Sequence, residues 1–80
     1  MTYLWQEERG KKFYRVQTNE NEVAQIMKRR NGFHLCGKAM NANLWIFTCQ
    51  FARPDKAKDV LKSITGKKPK IDSEGVIFFE

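Results

Sequence analysis

Apolar and polar side chains alternate with period two on both sides of residues 41–43, which predicts a β-hairpin from residue 33 to residue 51. The predicted loop is Asn41, Ala42 and Asn43, since asparagine tolerates the left-handed conformation that commonly ends such loops. A one-residue slip would mix the apolar and polar sets. One face then has Phe33 opposite Phe51, Leu35 opposite Cys49, Gly37 opposite Phe47 and Ala39 opposite Trp45. The other face has His34, Cys36, Lys38 and Met40 against Leu44, Ile46, Thr48 and Gln50.

Two shorter strands are predicted before this hairpin, at residues 4–7 and 12–17, with a turn at residues 8–11 signalled by Gly10. The first strand is expected either to extend the edge of the sheet or to form a separate flap. On the second strand, alternation divides the side chains between two faces. One face carries Tyr14 and Val16, and the other carries Phe13, Arg15 and Gln17.

The segment between these strands and the hairpin predicts a helix. Thr18 or Asn19 is the expected cap, and acidic side chains follow in the first turn. The apolar stripe has the spacing of three and four residues that a helix requires. Gly32 lies where a left-handed residue would end the helix. The stripe is Val23, Ile26 and Met27, and the basic end is Lys28, Arg29 and Arg30.

A second helix is predicted to begin near Pro54 and to stop at Gly66. Residues 67–70 then read as a basic connector, and residues 76–79 as a final strand. The buried face of this helix is expected to be Ala57, Val60, Leu61 and Ile64.

The predicted element order is ββαββαβ within a single domain spanning residues 1–80. The simplest closed arrangement is an α+β fold with an antiparallel sheet and both helices on one face. We therefore expect a ferredoxin-like topology, as a comparison of element order alone.

Composition narrows the class of protein. The chain has 80 residues, of which 41% are hydrophobic, and it has no apolar run long enough to span a membrane. The N-terminal residues lack the pattern of a secretory signal, and Cys36 and Cys49 are expected to be free thiols, so a cytoplasmic location is expected. Two cysteines and the single histidine, His34, are too few for the usual zinc site. No metal or cofactor is predicted.

The net charge of +6 permits an acidic partner, whether nucleic acid, an anionic membrane surface or an acidic protein, and clustered bases suggest nucleic acid, either DNA or RNA. The leading hypothesis is therefore a small basic nucleic-acid-binding protein that contacts phosphates without catalysis. A plain solvated surface is the alternative, because bases at helix C-termini also satisfy the helix dipole. The predicted contacts are Lys28, Arg29, Arg30, Lys67, Lys68, Lys70, Lys11, Lys12 and Arg15, with Arg9 and Lys38 as helpers.

The outward face of the hairpin supports a second hypothesis. Met40, Leu44 and Ile46 would form an exposed apolar cluster with a polar rim, which often marks a partner surface. Folding of the first two strands over this cluster would remove it. The alternative function is thus a small protein-interaction module, an inhibitor or adaptor of the compact kind found among phage and mobile-element products, either monomeric or homodimeric.

Catalysis is not predicted. His34 and Cys36 share a strand face, but they lack an orienting third group and a glycine-rich oxyanion loop. Trp45 and Phe47 are expected in the core rather than as a base-stacking surface, because the expected register turns them inward.

Overall fold

The computed structural model describes residues 1–8, 10–39 and 43–80. Over these residues the chain is an α+β fold, a six-stranded antiparallel sheet with two helices, which confirms the predicted class. An additional short strand makes the element order ββαββαββ. The elements are β1 (Thr2–Gln6), β2 (Phe13–Thr18), α1 (Asn21–Arg29), β3 (His34–Ala39), β4 (Leu44–Gln50), α2 (Pro54–Thr65), β5 (Pro69–Ile71) and β6 (Ile77–Phe79).

The strand order in the sheet is β3-β4-β2-β1-β6-β5. Both β2 and β3 run antiparallel to β4, so α1 joins two parallel strands across the one that separates them. The ferredoxin-like order is not confirmed, because β1 lies between β2 and β6. The first strand is therefore neither an edge extension nor a flap. It is an interior strand of the sheet.

Both helices cover the same face of this sheet. The side chains that alternate onto that face are fully buried on β1, β2, β4 and β6, as shown by Leu4, Val16, Phe47 and Phe79. They form one apolar cluster with both helices. Alternation along each strand places the next side chain on the opposite face, which no helix covers. The helices contribute Val23, Ala24 and Met27 from α1 and Ala57, Leu61 and Ile64 from α2.

The predicted helix ends were partly correct. Helix α2 begins at Pro54, and Gly66 follows it with φ 69°, the left-handed conformation expected of a glycine stop. Helix α1 begins later than predicted, because Thr18 belongs to β2 and Glu20 occupies the cap position. The hydroxyl of Thr18 still stabilises the start of α1, since it accepts a hydrogen bond from the backbone N–H of Glu20 at 3.1 Å.

The hairpin register differs from the prediction. Leu35 pairs with Phe47, whereas Gly37 pairs with Ile46, so an irregularity at Cys36 shifts the two strands by one residue. A β-bulge of this kind turns the following side chains over. Gly37 and Ala39 therefore lie on the open face and not in the core. The inward direction of Trp45 and Phe47 on β4 is confirmed.

The predictions for residues 67–70 and for the hairpin loop have different outcomes. The basic connector at residues 67–70 is partly wrong, because Pro69–Ile71 pairs with β6 as strand β5. Of the predicted loop, only Asn43 belongs to the described residues, where it directly precedes β4, whereas Asn41, Ala42, Met40 and Arg9 lie outside them. Both cysteines are free thiols. Cys36 is exposed, whereas burial raises the pKa of the Cys49 thiol to about 12 and keeps that thiol protonated and unreactive at neutral pH.

The interior position of β1 predicts a large effect of the Leu4→Ala substitution. Leu4 is 0% exposed, so truncation should lower the free energy of unfolding by about 2–5 kcal/mol through lost burial and a cavity. The matched control is Leu35→Ala, since Leu35 is 46% exposed and should change stability by about 0.5 kcal/mol. Urea denaturation measures both. Equal effects would contradict the placement of β1 inside the sheet.

Candidate nucleic-acid interface

Four chain segments converge at one end of the sheet, where β2 begins and β4 ends. Phe13 pairs with Gln50, and the carbonyl of Lys12 accepts the backbone N–H of Phe51 at 3.0 Å. The end of α1 reaches the same place, because the ring of Phe33 lies 6.2 Å from that of Phe51. Helix α2 starts three residues beyond Phe51. We call this region the basic end.

The basic end gathers five of the predicted phosphate-binding residues and two bases that the sequence analysis missed. Arg30 and Lys56 line one groove together with Gln50 and Phe51, which joins the end of α1 to the start of α2. Arg53 caps α2 beside them. Most of the predicted residues belong to clusters of bases along the chain, and Arg53 and Lys56 lie outside those clusters. The full set is Lys11, Lys12, Lys28, Arg29, Arg30, Arg53 and Lys56, and the side chains of all seven residues are accessible.

Arg15 lies on the open face near this end, but it already has a partner. Its guanidinium donates to the carboxylate of Glu7 at 2.7 Å. This hydrogen bond and the negative charge of Glu7 raise the pKa of Arg15. Arg15 is therefore engaged within the sheet, and a phosphate would have to compete with Glu7 for it.

The remaining predicted residues lie elsewhere. Lys67 donates to Glu20 at 2.8 Å, and Glu20 caps the start of α1, so Lys67 and Lys68 lie at the end opposite to Arg30. Helix α1 alone spans about 13 Å between these ends. Lys70 is on β5 at the far edge of the sheet, opposite Phe78. The nine predicted residues thus do not form one patch.

Glu20 is the centre of a hydrogen-bonded group at that opposite end. The hydroxyl of Thr2 donates to Glu20 at 3.0 Å, and the buried hydroxyls of Thr2 and Thr18 are 2.8 Å apart. The hydrogen bond from Lys67 is the main reason that the pKa of Glu20 is lowered, although partial burial opposes it. This group joins β1, β2, α1 and the segment after α2. Lys67 therefore stabilises the fold.

Removal of the Glu20 carboxylate should lower the stability of the protein by an amount that depends on pH. A lowered folded-state pKa stabilises the protein above the ordinary carboxyl value of 4.5, and that contribution is lost as the pH falls through the folded pKa. Glu20→Gln should cost about 1 kcal/mol at pH 7, because the pair is partly solvated. The difference from wild type should vanish in acid. Thermal unfolding across pH tests this, with Glu22→Gln on the first turn of α1 as control; a constant difference at all pH values would contradict it.

The open face carries a second set of residues with binding character. Leu44 and Ile46 face this side, as the alternation on β4 predicted, but they are half-buried and not exposed. The sheet adds Tyr3 and Trp5 from β1 and Phe78 from β6, with the rings of Tyr3 and Phe78 6.5 Å apart. The first two strands do not fold over this face, because they are part of the sheet. The aromatic positions were missed because the location of β1 and β6 depends on long-range pairing.

The described residues provide no group of three or more His, Cys, Asp or Glu side chains that could hold a metal ion. Within the same residues, no helix has the length and apolar character to cross a membrane. Comparison with protein-family models, curated proteins and solved structures found no match. The basic end and the open face are therefore the two features of the described residues that bear on function.

Proposed function

We propose that this protein binds nucleic acid through phosphate contacts at the basic end, without catalysis. The observation that carries the proposal is the convergence of bases from separate elements. Lys28 and Arg29 end α1, where cations also stabilise the helix dipole. Arg53 and Lys56 flank the start of α2, where the dipole favours acids instead. Helix stability therefore does not explain the second pair, whereas attraction to a polyanion does.

The chemistry of such an interface is electrostatic. Each Lys or Arg that neutralises a phosphate releases bound counterions, which supplies affinity without reading the base sequence. Arg29 and Arg30 also offer planar guanidinium groups, which bind phosphate oxygens through two hydrogen bonds. Asp55 lies in the first turn of α2, Glu7 is paired with Arg15 and Glu8 lies beside Lys11, so the seven bases of the basic end still outnumber the acids beside them.

Charge reversal at the basic end should weaken binding and reduce its salt dependence. The variant is Arg29→Glu with Arg30→Glu, and the measurement is fluorescence anisotropy with labelled single-stranded DNA, duplex DNA and RNA over a series of salt concentrations. The slope of log affinity against log salt should fall by about 0.7–0.9 for each phosphate that the variant no longer neutralises.

The matched control reverses two exposed lysines at the opposite end, Lys62→Glu with Lys68→Glu. Both variants change the net charge equally, so a difference between them reports position and not total charge. Equal weakening by the two variants would show diffuse attraction and would contradict an interface at the basic end. Absence of binding by the wild-type protein at low salt would contradict the function itself.

A second function, protein interaction through the open face, is favoured by one observation. Leu44, Ile46, Tyr3 and Phe78 lie on a sheet face that no described element covers, and large uncovered apolar faces commonly bind other proteins. Ile46 is central to that face, since it pairs with Gly37 on one side and with Gln17 on the other.

The Ile46→Asp substitution tests whether Ile46 belongs to a binding surface or to the core. Because Ile46 is only half-buried, the variant should remain folded, and any self-association through the open face should disappear. Sedimentation velocity over a concentration series measures the association, and circular dichroism measures the fold. Thr48→Asp, on the same strand and face, is the polar control. Unfolding of the Ile46 variant would place this side chain in the core.

A further inference from the structure

A depression on the open face adjoins the basic end. It has a volume of about 340 Å³, at the lower end of the range for small-ligand sites. Phe13 forms one wall, and its side chain is 50% exposed, which is unusual for a phenylalanine in a regular strand. His34 forms the opposite wall. The lining is Phe13, Gly32, His34, Thr48, Cys49 and Gln50, with no acidic residue among these.

The sheet geometry suits a flat ring between these walls. Phe13 is on β2 and His34 is on β3, and both strands flank β4. Phe13 pairs with Gln50 and His34 with Thr48, so two inter-strand spacings and a two-residue offset along β4 separate the walls by about 12 Å at the backbone. Bases stack on aromatic side chains, so a base can lie in this depression against the exposed ring of Phe13. Gln50, which is paired with Phe13, offers an amide donor and acceptor to the edge of such a ring.

The charges on the two sides of the Phe13 ring favour binding of a nucleic acid on the side that faces His34. On its other side, Phe13 adjoins a second depression lined by Glu7, Glu8 and Lys11, where two carboxylates would repel a phosphate. The depression beside His34 has no carboxylate in its lining, and two bases are close to it along the chain: Lys12 precedes Phe13, and Arg30 precedes Gly32 by two residues.

We infer that the depression between Phe13 and His34 receives one unpaired base of a single-stranded nucleic acid, with the adjoining phosphates at Lys12 and Arg30. This inference rests on the proposed function and adds its substrate class. A base can enter only when it is free of its duplex partner, because paired bases are stacked inside the helix. Aromatic side chains stack on any base, so the preference is for single strands and not for a particular sequence.

The test is Phe13→Ala, measured by anisotropy with a labelled single strand and with the same sequence as a duplex. Removal of one stacking ring should weaken single-strand binding about 5- to 150-fold. Duplex binding and the salt slope should stay unchanged, because every phosphate-binding side chain is kept. Phe13→Tyr should retain affinity. The matched control is Ile71→Ala, an exposed apolar side chain on β5 at the other edge of the sheet.

The outcomes distinguish this inference from the proposed function. If charge reversal of Arg29 and Arg30 weakens binding but Phe13→Ala does not, phosphate binding holds and the base site is wrong. Equal weakening on single strand and duplex would also overturn it. A change in sedimentation mass with unchanged affinity would assign the depression to a second copy of the chain. Gln50→Ala provides an independent variant, with an expected smaller effect on single strands alone, and circular dichroism confirms folding of each variant.

Discussion

The structure depends on one constraint: two helices of 9 and 12 residues cover only one face of a six-stranded sheet. The fully buried apolar side chains of the strands therefore lie on that face, and alternation places every second strand residue on the other. The open face is a direct consequence of the fold. It carries Tyr3, Trp5, Ile46 and Phe78, of which the rings of Tyr3 and Phe78 are 6.5 Å apart.

The first strand, β1, connects the two parts of this sheet. By pairing with β2 over five positions and with β6 over three, β1 joins the β2–β4–β3 half of the sheet to the terminal β5–β6 hairpin. Thr2 on this strand also contacts Glu20, which binds Lys67 from the far end of α2. One short strand thereby connects the sheet and both helical segments. The residues of β1 therefore matter more for the stability of the fold than its short length suggests.

Local signals in the sequence predicted the local parts of the fold. Pro54 and Gly66 mark the ends of α2 through backbone preferences that operate within a few residues, and the alternation on β4 predicted which of its side chains face inward. The bulge at Cys36 could not be predicted from alternation, because inserting one residue leaves the pattern on each side intact. The position of β1 depends on pairing across the whole chain. Strand β5 begins at a proline and has three residues, too few for a periodic signal.

The candidate site shows the same division between local and long-range information. A run such as Lys28, Arg29 and Arg30 is visible in the sequence, but its meaning depends on what lies nearby in space. Lys67 carries the same positive charge as Arg30, yet a carboxylate 2.8 Å away engages it within the fold. At the basic end, Arg53 and Lys56 come from another element and strengthen the positive field rather than cancelling it. A basic side chain that is paired with a nearby carboxylate stabilises the fold, whereas one without such a partner stays available for binding. Only the tertiary structure shows which carboxylates lie near each base.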